Sequence, residues 1–149
     1  MYKVSLAIPI YNVSLFVERA LLSVLNQTYD NIEYLIVDDK GQDDSMDIVH
    51  RIIKDHPRGK DVRIIEHPYN IGLGATRNTA IDNAQGEYLF FMDSDDEIIP
   101  TCIEILVHKM QEHPVDFIAA SHMKKDLSGK TYPTYTYSPI LIQGDDLPV

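Results

Sequence analysis

Residues 87–96 read Glu87-Tyr88-Leu89-Phe90-Phe91-Met92-Asp93-Ser94-Asp95-Asp96, an aromatic and aliphatic run that passes directly into three carboxylates. A short apolar run of this composition predicts a buried strand. Ionised carboxylates are tolerated at the end of such a strand only where cations, hydrogen bonds or water compensate them. Asp93 and Asp95 can flank one hard cation, and magnesium or manganese suits oxygen ligands beside a substrate diphosphate. The competing reading is a solvated acidic turn in which Asp95 or Asp96 caps the next helix. Placement at the end of an apolar strand favours a site.

Strand and helix patterns alternate around this segment. Val4-Ser5-Leu6-Ala7-Ile8 predicts a strand, and Phe16, Ala20 and Val24 with Val17, Leu21 and Leu25 follow helical spacing from Ser14 as cap. A second strand is expected over 33–37, then a helix from Asp44 or Ser45 with the stripe Ile48, Val49, Ile52 and Ile53, stopped by Pro57-Arg58-Gly59. A third strand over 62–66, a helix over 73–84 with Gly86 as its stop, and a fourth strand over 88–92 repeat the pattern. Pro100 suits the start of a last helix with Ile103, Leu106, Val107 and Met110 as its buried stripe.

Such alternation predicts an α/β fold: a doubly wound, mostly parallel sheet with helices on both faces, Rossmann-like in character. Ligands of these sheets bind outside the carboxyl ends of the strands. Tyr11-Asn12, Asp38-Asp39, residues 67–70 and residues 93–96 all fall there. From Asp116 onward a β-hairpin is expected, with strands 117–122 and 131–137 joined through Ser128-Gly129 and a frayed tail at 144–149. One domain accounts for the whole chain, with an α/β core over 1–115 and a hairpin or first part of an acceptor region over 116–143.

Composition restricts the function. The 149 residues are 44% hydrophobic, enough for one sizeable core, and carry a formal net charge of −10. No cluster of Lys and Arg offsets that charge, so nucleic acid is not an expected partner, and any anionic ligand must be recruited locally. Cys102 is the only cysteine, which excludes an internal disulfide and suits a reducing compartment. No run approaches the ~20 apolar residues of a membrane span. The expected location is the cytoplasm, or the cytoplasmic face of a membrane through a longer parent protein.

Other motifs separate into useful and misleading ones. Asp38-Asp39 ends the second strand, where a carboxylate can accept hydrogen bonds from a base or ribose, helix capping being the alternative. Gly72-Leu73-Gly74 imitates a dinucleotide fingerprint, but Arg77 occupies the third glycine position and the segment follows the third strand, so a nicotinamide cofactor is excluded. A glycine turn opening a helix that carries Arg77 still suits an anion. The histidines at 50, 56, 67, 108, 113 and 122 lack the spacing of a zinc protease and read as surface residues. No serine lies in Gly-x-Ser-x-Gly.

Several of these segments together resemble the family-2 glycosyltransferases. They are Pro9-Ile10-Tyr11-Asn12, Leu25-Asn26-Gln27-Thr28-Tyr29, Ile36-Val37-Asp38-Asp39, Asn70-Ile71-Gly72-Leu73, Ala75-Thr76-Arg77-Asn78, Gly86-Glu87-Tyr88 and Asp93-Ser94-Asp95-Asp96. They span the first two-thirds of the chain, in order. The resemblance implies a GT-A fold that binds a nucleotide-diphosphate sugar, commonly a UDP-sugar, with a divalent cation (Mn or Mg), and transfers the sugar with inversion to a saccharide or other hydroxyl acceptor, as in polysaccharide biosynthesis. On the matching positions, Pro9, Tyr11 and Asn12 would line the nucleotide pocket and Asp39 would meet the base, with Asp38 beside it. Asn70, Gly72 and Arg77 would border ribose and diphosphate. Asp93 and Ser94 would lie near ribose or diphosphate, and Asp95 would bind the metal, with Asp93 contributing.

Two departures accompany the likeness. Lys40-Gly41-Gln42 stands where family members usually carry Gly-Ser-Thr. The catalytic carboxylate of family members comes from sequence beyond the matched stretch, and Asp145-Asp146 is a poor candidate for it. The chain therefore reads as an incomplete, donor-binding portion, with self-association expected where missing elements would pack. Two alternatives stay open: a noncatalytic nucleotide-sugar-binding or interaction module, and a phosphotransfer or nucleotidyl-transfer domain, which would leave Tyr11-Asn12 and Arg77-Asn78 unexplained.

Overall fold

A computed structural model describes residues 1–126 and 128–135, without the side chain of Tyr135. The chain divides into two compact units, Met1–His108 and Lys109–Val149. In the first, strands β1 (Val4–Ile10), β2 (Ile32–Asp38), β3 (Val62–Glu66) and β4 (Tyr88–Phe91) alternate with helices α1 (Val17–Leu25), α2 (Ser45–Asp55) and α3 (Leu73–Asn83). Helix α4 (Cys102–Glu112) follows β4. All four strands are parallel, in the order β3-β2-β1-β4.

Period-two alternation divides the strand residues between two cores. Val4, Leu6, Ile8 and Ile10 of β1, with Ile32, Tyr34 and Ile36 of β2, pack against Val17, Leu21, Val24 and Leu25 of α1, Val49 and Ile52 of α2, and Ile103 and Val107 of α4. The intervening residues Ala7, Leu35 and Val37 meet Ala80 of α3 on the opposite face. The first two crossovers carry the chain from β1 to β2 to β3. The third returns it past β1, and a crossover of the same hand travelling the other way places its helix on the other face. The order therefore reverses between β1 and β4, and their carboxyl ends flank the crevice where ligands of such sheets bind. No helix among the described residues is long and apolar enough to cross a membrane.

The predicted sheet and helices are present, with displaced boundaries. Helix α1 starts at Val17 rather than after a Ser14 cap, because the Ser14 N–H donates to Asp43 Oδ2 at 2.8 Å and residues 13–16 form a turn closed by Phe16 N–H to the Val13 carbonyl at 2.9 Å. Helix α4 starts at Cys102, not Pro100, whose carbonyl accepts from Thr28 N–H at 2.8 Å.

The second unit contains an antiparallel hairpin, β5 (His122–Lys125) with β6 (Thr131–Tyr135). The hairpin is where the sequence places it, but its first strand is later and shorter than 117–122. Asp126 Oδ1 accepts from Ser128 N–H at 2.9 Å and Lys130 N–H at 3.0 Å, which puts the turn at 126–130. Phe117 is exposed and outside the strand. The expected strand end at Tyr137, the tail at 144–149 and Asp145-Asp146 lie outside the described residues.

Candidate functional site at the carboxyl edge of the sheet

The carboxyl ends of β1 to β4, with the loops and the helix α3 that follow them, carry the candidate site residues, in three groups. In the first, Asn12 follows β1 with a left-handed backbone, φ 50°. Its Oδ1 accepts from Gln42 N–H at 2.7 Å. A Cβ on Gly41 would lie 2.8 Å from Asn12 N, so only glycine lets the two loops approach this closely. Pro9 is half-buried beside Val37, and Tyr11 is 46% exposed with its ring available to a planar ligand.

The second group centres on Asp39, which is buried. Its Oδ1 accepts from His67 Nδ1 at 2.8 Å and Ile71 N–H at 2.9 Å, and its Oδ2 accepts from Asn70 Nδ2 at 2.8 Å and Gly72 N–H at 2.9 Å. Burial pushes this carboxyl upward, but the His67, Ile71 and Gly72 hydrogen bonds outweigh it and hold Asp39 below the usual carboxylate range. Gly72 has φ 90° and ψ 159°, a region open essentially to glycine alone. Asn70 and Gly72 are thus brought onto Asp39. Asp38 is not: its Oδ1 accepts from Lys40 N–H at 2.8 Å and its Oδ2 lies 3.4 Å from Lys40 Nζ, which also pairs with Glu66 at 2.7 Å. The hydrogen bond from Lys40 lowers the Glu66 carboxyl, and that to Glu66 raises the Lys40 ammonium. Lys40 takes φ 54°, a left-handed conformation that glycine adopts without cost.

The third group joins α3 to the acidic loop after β4. Arg77 Nη2 donates to Asp93 Oδ1 at 2.9 Å, with side-chain exposures of 40% and 52%. Asp93 accepts Asp96 N–H on its carbonyl at 3.1 Å, Ser94 is buried, and Asp95 is exposed. Asp93 and Asp95 offer hard oxygen donors at an open edge, a set that fits magnesium or manganese held by one or two carboxylates with substrate phosphates completing the shell. Among the described residues no three His, Cys, Asp or Glu converge on a point, so these residues do not by themselves form a closed metal cage. The far end of this loop is clamped by Gln27, whose Nε2 donates to the Ile99 carbonyl at 2.8 Å and whose Oε1 accepts Ile103 N–H at 3.0 Å.

The expectation that the histidines are surface residues fails at His67, which is 6% exposed. Its burial was available in the pattern: Arg63, Ile65 and His67 alternate onto the face that also carries Asp39, one strand away.

A family model described as glycosyl transferase family 2 matches residues 5–145. An uncharacterized glycosyltransferase of Haemophilus influenzae is 32% identical over 98% of this chain and 59% of its own length. Among solved structures, residues 1–349 of TarS from S. aureus in complex with UDP align with TM-score 0.70 at 26% identity, over 89% of this chain and 38% of that one. The mannosyltransferase PcManGT of Pyrobaculum calidifontis, in complex with GDP-Man and Mn2+, aligns with TM-score 0.60 at 26% identity, over 64% of this chain and 28% of that one. The chain spans 59%, 36% and 28% of the lengths of three curated relatives it matches. The parallel order β3-β2-β1-β4, the polar carboxyl edge and the family match over nearly all residues agree: the chain belongs to glycosyl transferase family 2 and carries its Rossmann-like GT-A sheet.

Proposed function

We propose that this chain is the donor-binding portion of an inverting, metal-dependent glycosyltransferase that takes a sugar from a nucleotide-diphosphate sugar, in the first instance a UDP-sugar, to a hydroxyl of a saccharide or other acceptor. The observation that carries the proposal is the Arg77–Asp93 pair beside Asp95 at the β1/β4 reversal. It sets a guanidinium fork and two carboxylates side by side where a diphosphate and its counter-cation would meet. The UDP complex of TarS and the GDP-Man and Mn2+ complex of PcManGT support the same assignment. Residues 1–115 form the donor core in this reading, and 116–143 begin an acceptor region.

Pro9, Tyr11 and Asn12 line the base and ribose side. In place of the direct contact with the base expected of Asp39, whose two oxygens already accept four hydrogen bonds, Asp39 acts through the 70–72 turn that it holds, and Asp38 through Lys40. Asn70, Gly72 and Arg77 border ribose and diphosphate, Asp93 and Ser94 lie near ribose or diphosphate, and Asp95 with Asp93 holds the cation. The bound cation would supply Lewis-acid stabilisation of charge on the departing diphosphate. Without it, two carboxylates several ångströms from a diphosphate repel it by a few kcal/mol at intermediate dielectric. Calorimetric titration tests this reading: UDP affinity should rise about tenfold or more on adding manganese, and Asp95→Ala should abolish that increment. Equal affinity with and without manganese contradicts it.

A further inference from the structure

His67 is assigned nothing by the family match, yet it is the one buried histidine among the described residues and uses both ring nitrogens. Nδ1 faces Asp39 Oδ1 at 2.8 Å, and an ionised carboxylate only accepts, so Nδ1 carries the proton of that bond. Nε2 meets the Thr79 hydroxyl at 2.9 Å. Thr79 lies in α3, two residues beyond Arg77. Asp39 holds the 70–72 turn by Asn70 Nδ2 and the Ile71 and Gly72 N–H groups. A continuous set of hydrogen bonds thus runs from the turn through Asp39 and His67 into α3, and from α3 through Arg77 to Asp93. Helix α3 is a rigid element between its two attachment points.

The rest of the interface between α3 and the sheet consists of small side chains and a further polar contact, donated by the Arg63 guanidinium of β3 to the Asn83 carbonyl at the end of α3. Thr76 and Ala80 are the buried residues of α3, while Leu73 and Ile81 are exposed. Apolar packing of two small side chains fixes a helix poorly, so polar contacts take a larger share in setting its position.

We propose that His67 is a positioning residue for donor binding: by bonding Asp39 at Nδ1 and α3 at Nε2 it fixes the separation between the 70–72 turn and Arg77. This rests on the donor-binding reading, in which the turn and Arg77 hold different parts of one nucleotide diphosphate. His67 touches neither.

The test uses His67→Asn, whose amide retains a donor toward Asp39 but cannot reach Thr79, Thr79→Val, which removes the hydroxyl from a half-buried site at nearly constant volume, and the double variant. Thr79→Ser restores the hydroxyl. UDP binding with manganese should weaken about tenfold in each single variant, the range typical of groups that orient a ligand-binding residue, with little further loss in the double variant and recovery in Thr79→Ser. Exchange of the Ile71 and Gly72 amides, measured without ligand, should accelerate in both single variants. Wild-type UDP affinity in Thr79→Val, at temperatures where it is fully folded, overturns the proposal, as does unchanged amide exchange. Failure of the wild-type chain to bind any nucleotide refutes the donor reading instead, and the amide exchange still decides whether His67 holds the turn.

Discussion

Asp39 is charged, buried and surrounded by four donors, so its free energy is held by hydrogen bonds rather than by a neighbouring cation. Replacing it with alanine would leave the Ile71 and Gly72 N–H groups without their acceptor, a loss of about 3 kcal/mol for a broken buried network. Urea denaturation of Asp39→Ala should show that decrease at neutral pH. Because the folded carboxyl is held low, its contribution is present above pH about 4 and is lost as the pH falls through the lower folded value. The stability difference between wild type and Asp39→Ala should therefore shrink in acid, and a constant difference down to strongly acidic pH contradicts the assignment. Arg77→Ala removes a charged donor from an open edge without burying anything, so its folding stability should stay within about 0.5 kcal/mol while UDP affinity falls about tenfold.

At the scale of elements, Gly72 decides how α3 begins. A Cβ there meets nothing within 4 Å, so the cost of Gly72→Ala is conformational alone, about 1–3 kcal/mol, and should appear as a lowered thermal midpoint with the fold intact. The strands were legible because apolar runs of four to seven residues alternate with helical stripes, and α2 was legible from Asp44 onward. The start of α1 was not, since Ser14 gives its N–H to Asp43, a residue of the next crossover that no local pattern pairs with it. The hairpin turn was legible from Ser128-Gly129, where Asp126 accepts from residues two and four ahead, but the start of its first strand was not. Of the site, the acidic loop and the Arg77 helix were readable as chemistry at strand ends. The bond between Asp39 and His67 was not, because it joins side chains 28 positions apart and a single histidine carries no motif.

Over the whole molecule, a net charge of −10 coexists with a site read as holding an anionic donor, and the sheet reconciles the two by gathering carboxylates and Arg77 on one edge. In the proposed reading a cation would therefore set the sign of the interaction with the donor. Apolar side chains exposed on the first unit, including Leu73, Ile81 and Ile99, lead us to expect association at high concentration, visible as a concentration-dependent sedimentation coefficient. In the proposed reading a divalent cation joins the diphosphate to the loop after β4. Crystals grown with UDP and manganese, examined at a wavelength where manganese scatters anomalously, test it most directly. A single anomalous peak is expected in contact with the Asp95 carboxylate and the diphosphate oxygens, with Arg77 turned toward the phosphates. A nucleotide bound away from this loop, or a peak with no carboxylate of residues 93–95 in its shell, would contradict it.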